Sequence, residues 1–368
     1  MVKEKPMKIT TGPGYVTFAH AEGSFSITFH RTIRLPEDGK THALPPSLGT
    51  LPVHLVDDFK DHVPASWVEH GGVFLPLHER EAMWLGFGGG PCAVKVAAGK
   101  VNAINGKPWS ESLVAGIEDY LVTPPQPWLD GFNSGDGFIR QFVAMAMGKG
   151  YTVEAQVTGK EQHGGLQLMV IPPKPGAIKQ VPECRGGLIM PSSFGGGSYG
   201  SQTLGATYAV NEASVMSCSL GQEKSVGSPI LRSRKLVKAD EMGLGAGGRM
   251  HQKIYPDPHG IEVWDQAAAG RVFIHLVSAE AYEHITGLKA PALPPAAQSY
   301  IGPWFGVQDG NLGDIAAPDE LKKVKTIGEK DNEHGFEGQQ DDSPIHETIT
   351  TSYPIWSPPV AVVRNGKW

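Results

Sequence analysis

Seven of the fourteen histidines, His20, His30, His42, His54, His62, His70 and His78, fall within the first 78 residues. Neutral imidazoles that converge with carboxylates make a transition-metal site. His62, His70 and His78 with Glu69 and Glu79 are the members whose convergence would build one. No HExxH, HxH or CxxC spacing fixes them on one face, so they read equally as surface histidines and the metal is left unknown.

A second set carries mixed chemistry. Trp128, Asp130, Arg140, Gln141, Glu154, Gln156 and His163 supply an aromatic ring, two acids, a guanidinium, two amides and an imidazole. Such side chains suit a cleft between the central and C-terminal parts of the chain, holding a small ligand or a substrate. As turn and cross-strand residues they need no ligand.

Other motifs weaken on inspection. Cys184-Arg185-Gly186 echoes a cysteine protease with His163 upstream, but 21 residues separate the two, against roughly fifty in the caspase pattern. Gly243, Gly245 and Gly248 spell a dinucleotide fingerprint, yet LVKADEM and RMHQKIYPDP flank it where a strand and a helix are required. A glycine loop with positive φ is the expectation. Asp309, Asn311 and Glu320 hold calcium-loop positions, but Asp314 stands where the loop needs glycine and Pro318 interrupts. Asp130, Asn133 and Asp136 in WLDGFNSGDG suit Asx turns. Glu79/Glu81 and Glu118/Asp119 are close carboxylate pairs that alternation sends to opposite or solvated faces. No GxSxG, Walker loop or duplicated CxxC is present; the missing motifs assign no reaction without excluding catalysis, and no cofactor is expected.

Charge narrows the partners. Lys+Arg 32 against Asp+Glu 38 leaves a formal charge of −6, which gives no field for a phosphate backbone. Arg232, Arg234, Lys235 and Lys238 form the only basic cluster and lack interleaved aromatics, so nucleic acid is not expected. No apolar run reaches a membrane-spanning length, and the first residues lack a signal-peptide core. Three widely spaced cysteines, Cys92, Cys184 and Cys218, point to a reducing cytoplasmic compartment, with signal-less export the alternative.

The elements that position these residues must be short. Gly 47 and Pro 30 together exclude a helical bundle and favour strands and turns. The expected class is mainly β: sandwich-like domains with a few short helices, Gly/Pro-rich loops and extended termini. GYVTFAHAEGSFSITFHRTI reads as a hairpin over 14–33, VHLVDDFKDHV as one short helix, and YTVEAQVTGKEQHGGLQLMVI as two strands joined by a glycine turn. MHQKIY, IEVW and RVFIHLV read as strands, and AEAYEHITG as a helix stopped by Gly287. Five segments follow: 1–85, a central β unit 86–178, a Gly/Ser-rich insert 179–240, a C-terminal β unit 241–328, and an acidic linker with an apolar arm, 329–368.

That arm sets the functional expectation. Tyr353, Ile355, Trp356, Val360, Val362 and Trp368 follow a hydrophilic tether, as in an arm that adds a strand to a neighbouring subunit. Unpaired edges of many short strands need such cover. The expected protein is a non-enzymatic, self-assembling homo-oligomer or filament. The alternative is an enzyme or small-ligand-binding protein using the cleft residues.

AVKVAAGKVNAINGKPW, PPQPWLDGF, IRQFVAMAMGKGYTVEAQVTGKEQHGGLQ and MGLGAGGRMHQKIYPDPHGIEVWD resemble a family of hypothetical bacterial and fungal proteins, some fungal members of which carry a ubiquitin-like domain. The resemblance runs from about Gly23 to Thr326 and implies membership without assigning any residue a role. Residues 185–240 and the acidic-plus-apolar tail depart from its pattern.

Overall fold

Alternating side chains in KITTG, YVTFAH and GSFSITFHRT form β1 (Lys8–Gly12), β2 (Tyr15–His20) and β3 (Gly23–Thr32), an antiparallel meander. Period-two alternation puts Val16, Phe18, Phe25, Ile27 and Phe29 on one face, and all five are buried. The structure, a computed structural model, describes residues 7–114, 116–178, 240–301, 304, 312–316, 318–335 and 360–366. Residues 179–239 of the expected insert 179–240 lie outside them, Cys184 included, as do Asp309, Asn311, Tyr353, Ile355, Trp356 and Trp368.

The chain continues through β4 (Thr41–His42), β5 (Ser47–Thr50), β6 (His54–Leu55), α1 (Ala65–His70), β7 (Val73–Leu77) and β8 (Ala82–Gly89). Next come β9 (Cys92–Ala98), β10 (Val101–Asn102), β11 (Leu121–Thr123), β12 (Trp128–Leu129), β13 (Gly131–Gly135) and β14 (Phe138–Ala146). The remainder is α2 (Val153–Thr158), β15 (Leu166–Ile171), β16 (Glu241–His251), β17 (Gly270–Ser278), α3 (Ala279–Thr286), α4 (Asp319–Lys322), α5 (Ile327–Glu333) and β18 (Val362–Val363).

The fold is mainly β, with short helices, and its strands join into one large, mostly antiparallel sheet. The main path runs β18-β1-β2-β3-β8-β14-β16-β17-β15-β9-β11, with β7 parallel to β17 along its other edge. Its strands come from four of the five segments expected from composition, 1–85, 86–178, 241–328 and 329–368. A twisted sheet of this size curls. The curl brings Val16, Phe18 and Phe29 into the same core as Leu168, Val170, Val272 and Ile274. A second cluster, with Ala93, Val122, Met169, Ile171 and Trp264, covers the opposite face of β9 and β15.

Several expectations change. YTVEAQVT is helix α2, not a strand: Thr152 Oγ1 accepts from Ala155 N at 3.1 Å and Gly159 closes it at φ 73°. VHLVDDFKDHV holds only a 3-10 turn at Val56–Phe59, with α1 following after Pro64, and IEV is likewise a 3-10 turn. MGLGAGG is the buried strand β16 rather than a loop. Its glycines serve close approach: a Cβ on Gly248 would meet Pro36 O at 2.7 Å, and one on Gly247 would meet Val143 Cγ2 at 2.6 Å. The acidic linker begins inside α5, whose first turn is fixed by a Thr326/Glu329 capping box.

The described part of the tail lies on its own chain. Val363 pairs with Ile9 and Val362 with Thr10. Ala361 O accepts from Thr11 N at 2.9 Å. Farther on, Gly366 N donates to Arg271 O at 3.0 Å, and Asn365 Oδ1 accepts from Arg271 N at 2.8 Å. Residues 360–366 thus strap the β1 edge to the start of β17. Val363 is buried, whereas Val360 and Val362 are 73% and 61% exposed.

Candidate functional site

Strand β15 reads LQLMVI, apolar throughout except Gln167, and all six residues are buried. Leu166, Leu168 and Val170 enter the main core, so alternation sends Gln167, Met169 and Ile171 to the outer face. There Gln167 lies between Ala97 of β9 and Phe273 of β17, and the next row along is Lys95, Met169 and Arg271. Both Nε2 and Oε1 of Gln167 are sealed from solvent without a hydrogen-bond partner, as is Arg271 Nε. Orphaned buried amides are rare because each costs roughly 1–3 kcal/mol.

Lys95 is different: its polar needs are met. Its ammonium donates to Ser110 O and Ser112 O, both at 2.7 Å, and faces Asp119 Oδ2 at 2.6 Å. Desolvation lowers its pKa and the Asp119 carboxylate opposes that. Arg271 has only a 3.9 Å approach to Glu111. The Arg271 charge is thus less closely countered than that of Lys95.

On the other side of Phe273 stand two histidines. The His70 ring is 4.5 Å from that of Phe273 and 6.4 Å from that of His163. His70 Nδ1 donates to Ser66 O at 2.6 Å. Desolvation first, then Lys100 and His70, push His163 down to about 4, so it is neutral at physiological pH. Beneath them His275 stacks on Trp67 at 4.5 Å and donates from Nε2 to Gly71 O, with burial lowering it to about 3.

Of the seven cleft residues, Glu154 and His163 come together. The Glu154 carboxylate accepts from His163 N at 3.2 Å and Gly164 N at 3.0 Å, which fixes the turn carrying the imidazole. The others serve elsewhere. Gln156 bonds Tyr151 O and Lys325. Gln141 is buried and links Ile33 O to Leu35 N. Arg140 approaches Glu329 at 3.7 Å. Trp128 and Asp130 meet Gln252: its Nε2 reaches Trp128 O and Asp130 Oδ2, and Asp130 N donates to its Oε1. The histidine set does not converge either. His78 Nε2 donates to Pro291 O, Glu79 pairs with Lys149, and among the described residues no three potential ligands gather around a metal position. Asp314 accepts from Gly137 N and Ile254 N, a loop-fixing role.

Asp130 yields a pH prediction. Desolvation pushes its carboxyl up to about 7 against the Gln252 hydrogen bond, while the unfolded chain loses that proton near 3.9. Between those values the native state binds more protons, so this group's contribution to stability falls as pH rises from about 4 to 7. Asp130→Asn is expected to lose that decline, read by urea unfolding at pH 5 and pH 8. An unchanged difference between the two pH values would refute it.

No protein family, curated protein or solved structure matches the chain. Among the described residues no helix is long and apolar enough to cross a membrane.

Proposed function

We propose that the chain is a non-enzymatic small-ligand-binding protein whose site is the outer face of β15 and β17, formed by Gln167, Arg271, Phe273, His70 and His163. One observation carries the reading: the fully buried Gln167 amide satisfies neither its donor nor its acceptor. A natural core places an apolar residue at such a position, so the amide is explained by what it meets when the site is occupied. Its complement is a ligand edge with a donor beside an acceptor, as in an amide, a carboxylic acid or a nucleobase. Arg271 Nε adds a donor for a negative group. The imidazoles of His70 and His163 and the ring of Phe273 supply a rim that is partly polar and partly aromatic.

Gln167→Leu tests this. Removing an unpaired amide is expected to stabilise the free protein by about 1–3 kcal/mol. It is also expected to abolish thermal shifts that nucleobases, amino-acid amides and short carboxylic acids give the wild type. A destabilised variant, with no compound shifting the wild type, would sink the assignment.

A second reading keeps the self-assembling homo-oligomer. Val360 and Val362 are exposed on a strap whose β-pairing spans two residue pairs, and a neighbour's β1 offers the same edge in a domain swap. Sedimentation of the full chain beside one ending at residue 359 decides: equal monomeric masses exclude it.

A further inference from the structure

We propose that the strap 360–366 is a latch that holds the ligand site closed, an inference that rests on the binding role assigned to Gln167 and its neighbours. Three consecutive strap residues grip both segments that present the site. Arg364 pairs with Asp57, Nε to Oδ2 at 3.0 Å and Nη2 to Oδ1 at 2.9 Å, and its Nη2 donates to Val68 O at 2.8 Å, two residues before His70. Its guanidinium lies over Gly71, where a Cβ would come within 3.0 Å of Nη2. Asn365 accepts from Arg271 N and donates to Ala269 O, and Gly366 N donates to Arg271 O. The strap therefore ties the turn after α1 to the first residues of β17, on either side of Phe273.

Two properties fit a latch rather than a permanent strand. The Gln167 amide is sealed, so the described arrangement is the closed one and something must move before a ligand reaches it. The strap is also the weaker partner. Only Val363 and Gly366 are buried along it, and the Arg364–Asp57 pair is 48% and 23% exposed. Exposed ion pairs and two-residue ladders belong to the low-stability end of a structure, from which moving elements are drawn. Releasing the strap removes its contacts to Val68 and to Arg271 together while β15 and β17 keep their own pairing.

Hydrogen exchange tests the latch without a ligand. Arg364→Ala in the full chain, and separately a chain ending at residue 359, are expected to exchange amides at 68–72 and 271–273 at least tenfold faster than wild type. The β2–β3 hairpin should keep its wild-type rates. Acylation of His70 and His163 by diethyl pyrocarbonate should accelerate in the same variants. The latch is overturned if the Thr11 amide, which bonds the strap, is deprotected while 68–72 and 271–273 are unchanged. Acceleration spread equally over every strand overturns it too, because that is global destabilisation. If the shortened chain does not fold, Arg364→Ala alone decides. Thermal shifts absent in the wild type, beside a confirmed latch, refute only the ligand assignment.

Discussion

Glu81→Ala is expected to lose about 3–5 kcal/mol of folding free energy, read as a lowered urea midpoint. Glu81 Oε1 meets Arg31 Nε at 2.5 Å, with the two side chains 1% and 5% exposed. Its Oε2 accepts from His78 N at 2.9 Å. Arg31 also donates from Nη2 to Ala292 O at 2.6 Å, while His78 Nε2 donates to Pro291 O at 2.7 Å. Two links to the segment after α3 thus depend on one carboxylate. Truncation leaves a guanidinium charge buried without its counter-ion, and desolvation rather than the lost attraction sets the size of the effect. The double replacement Arg31→Met/Glu81→Leu removes both charges and should therefore cost less than Glu81→Ala alone. A single variant within about 1 kcal/mol of wild type would mean that water reaches the pair.

The second large effect is conformational. Gly72 has φ 89°, and a Cβ there would meet Phe273 O at 2.2 Å and Phe273 Cβ at 2.9 Å. Gly72→Ala adds left-handed strain to a collision with backbone, together about 2–6 kcal/mol. Gly159 is the control: φ is 73° with nothing within 4 Å of its Cβ position, so Gly159→Ala should cost about 1–2 kcal/mol. Equal losses at the two sites would show that φ alone decides. Since Gly72 packs on Phe273, its variant should also displace the ring between His70 and Gln167.

Much of the fold was legible where side chains alternate between two environments. Val16, Phe18, Phe25 and Ile27 announce their hairpin because one face is core and the other is not. The same alternation misleads at Tyr151, Val153, Ala155 and Val157. The decisive signals there are the cap at Thr152 and the left-handed stop at Gly159, which outrank period. MGLGAGG hides its strand because glycines have no pattern to read; their reason lies in Val143 and Pro36, distant in sequence. Gln167 had a signal, as the lone polar residue in an apolar run, but its isolation becomes visible only when Ala97 and Phe273 stand on either side. Glu154 and His163 were grouped by residue type and meet through a carboxylate and a backbone amide. Within the tail, Val360, Val362 and Val363 were legible as an extended apolar stretch. Its described destination was not, because every unpaired strand edge offers the same amides and carbonyls.

Thr11 and Ala361 are hydrogen-bonded across 350 positions of sequence. Contacts of such separation are the slowest to pay back their loop-closure entropy. Translation is vectorial, so the nascent polypeptide acquires its β2–β3 hairpin, its glycine-rich strand and Gln167 before the fastener has been synthesised. Every molecule therefore passes through a stage on the ribosome in which the β1 edge and the first residues of β17 are not yet tied together.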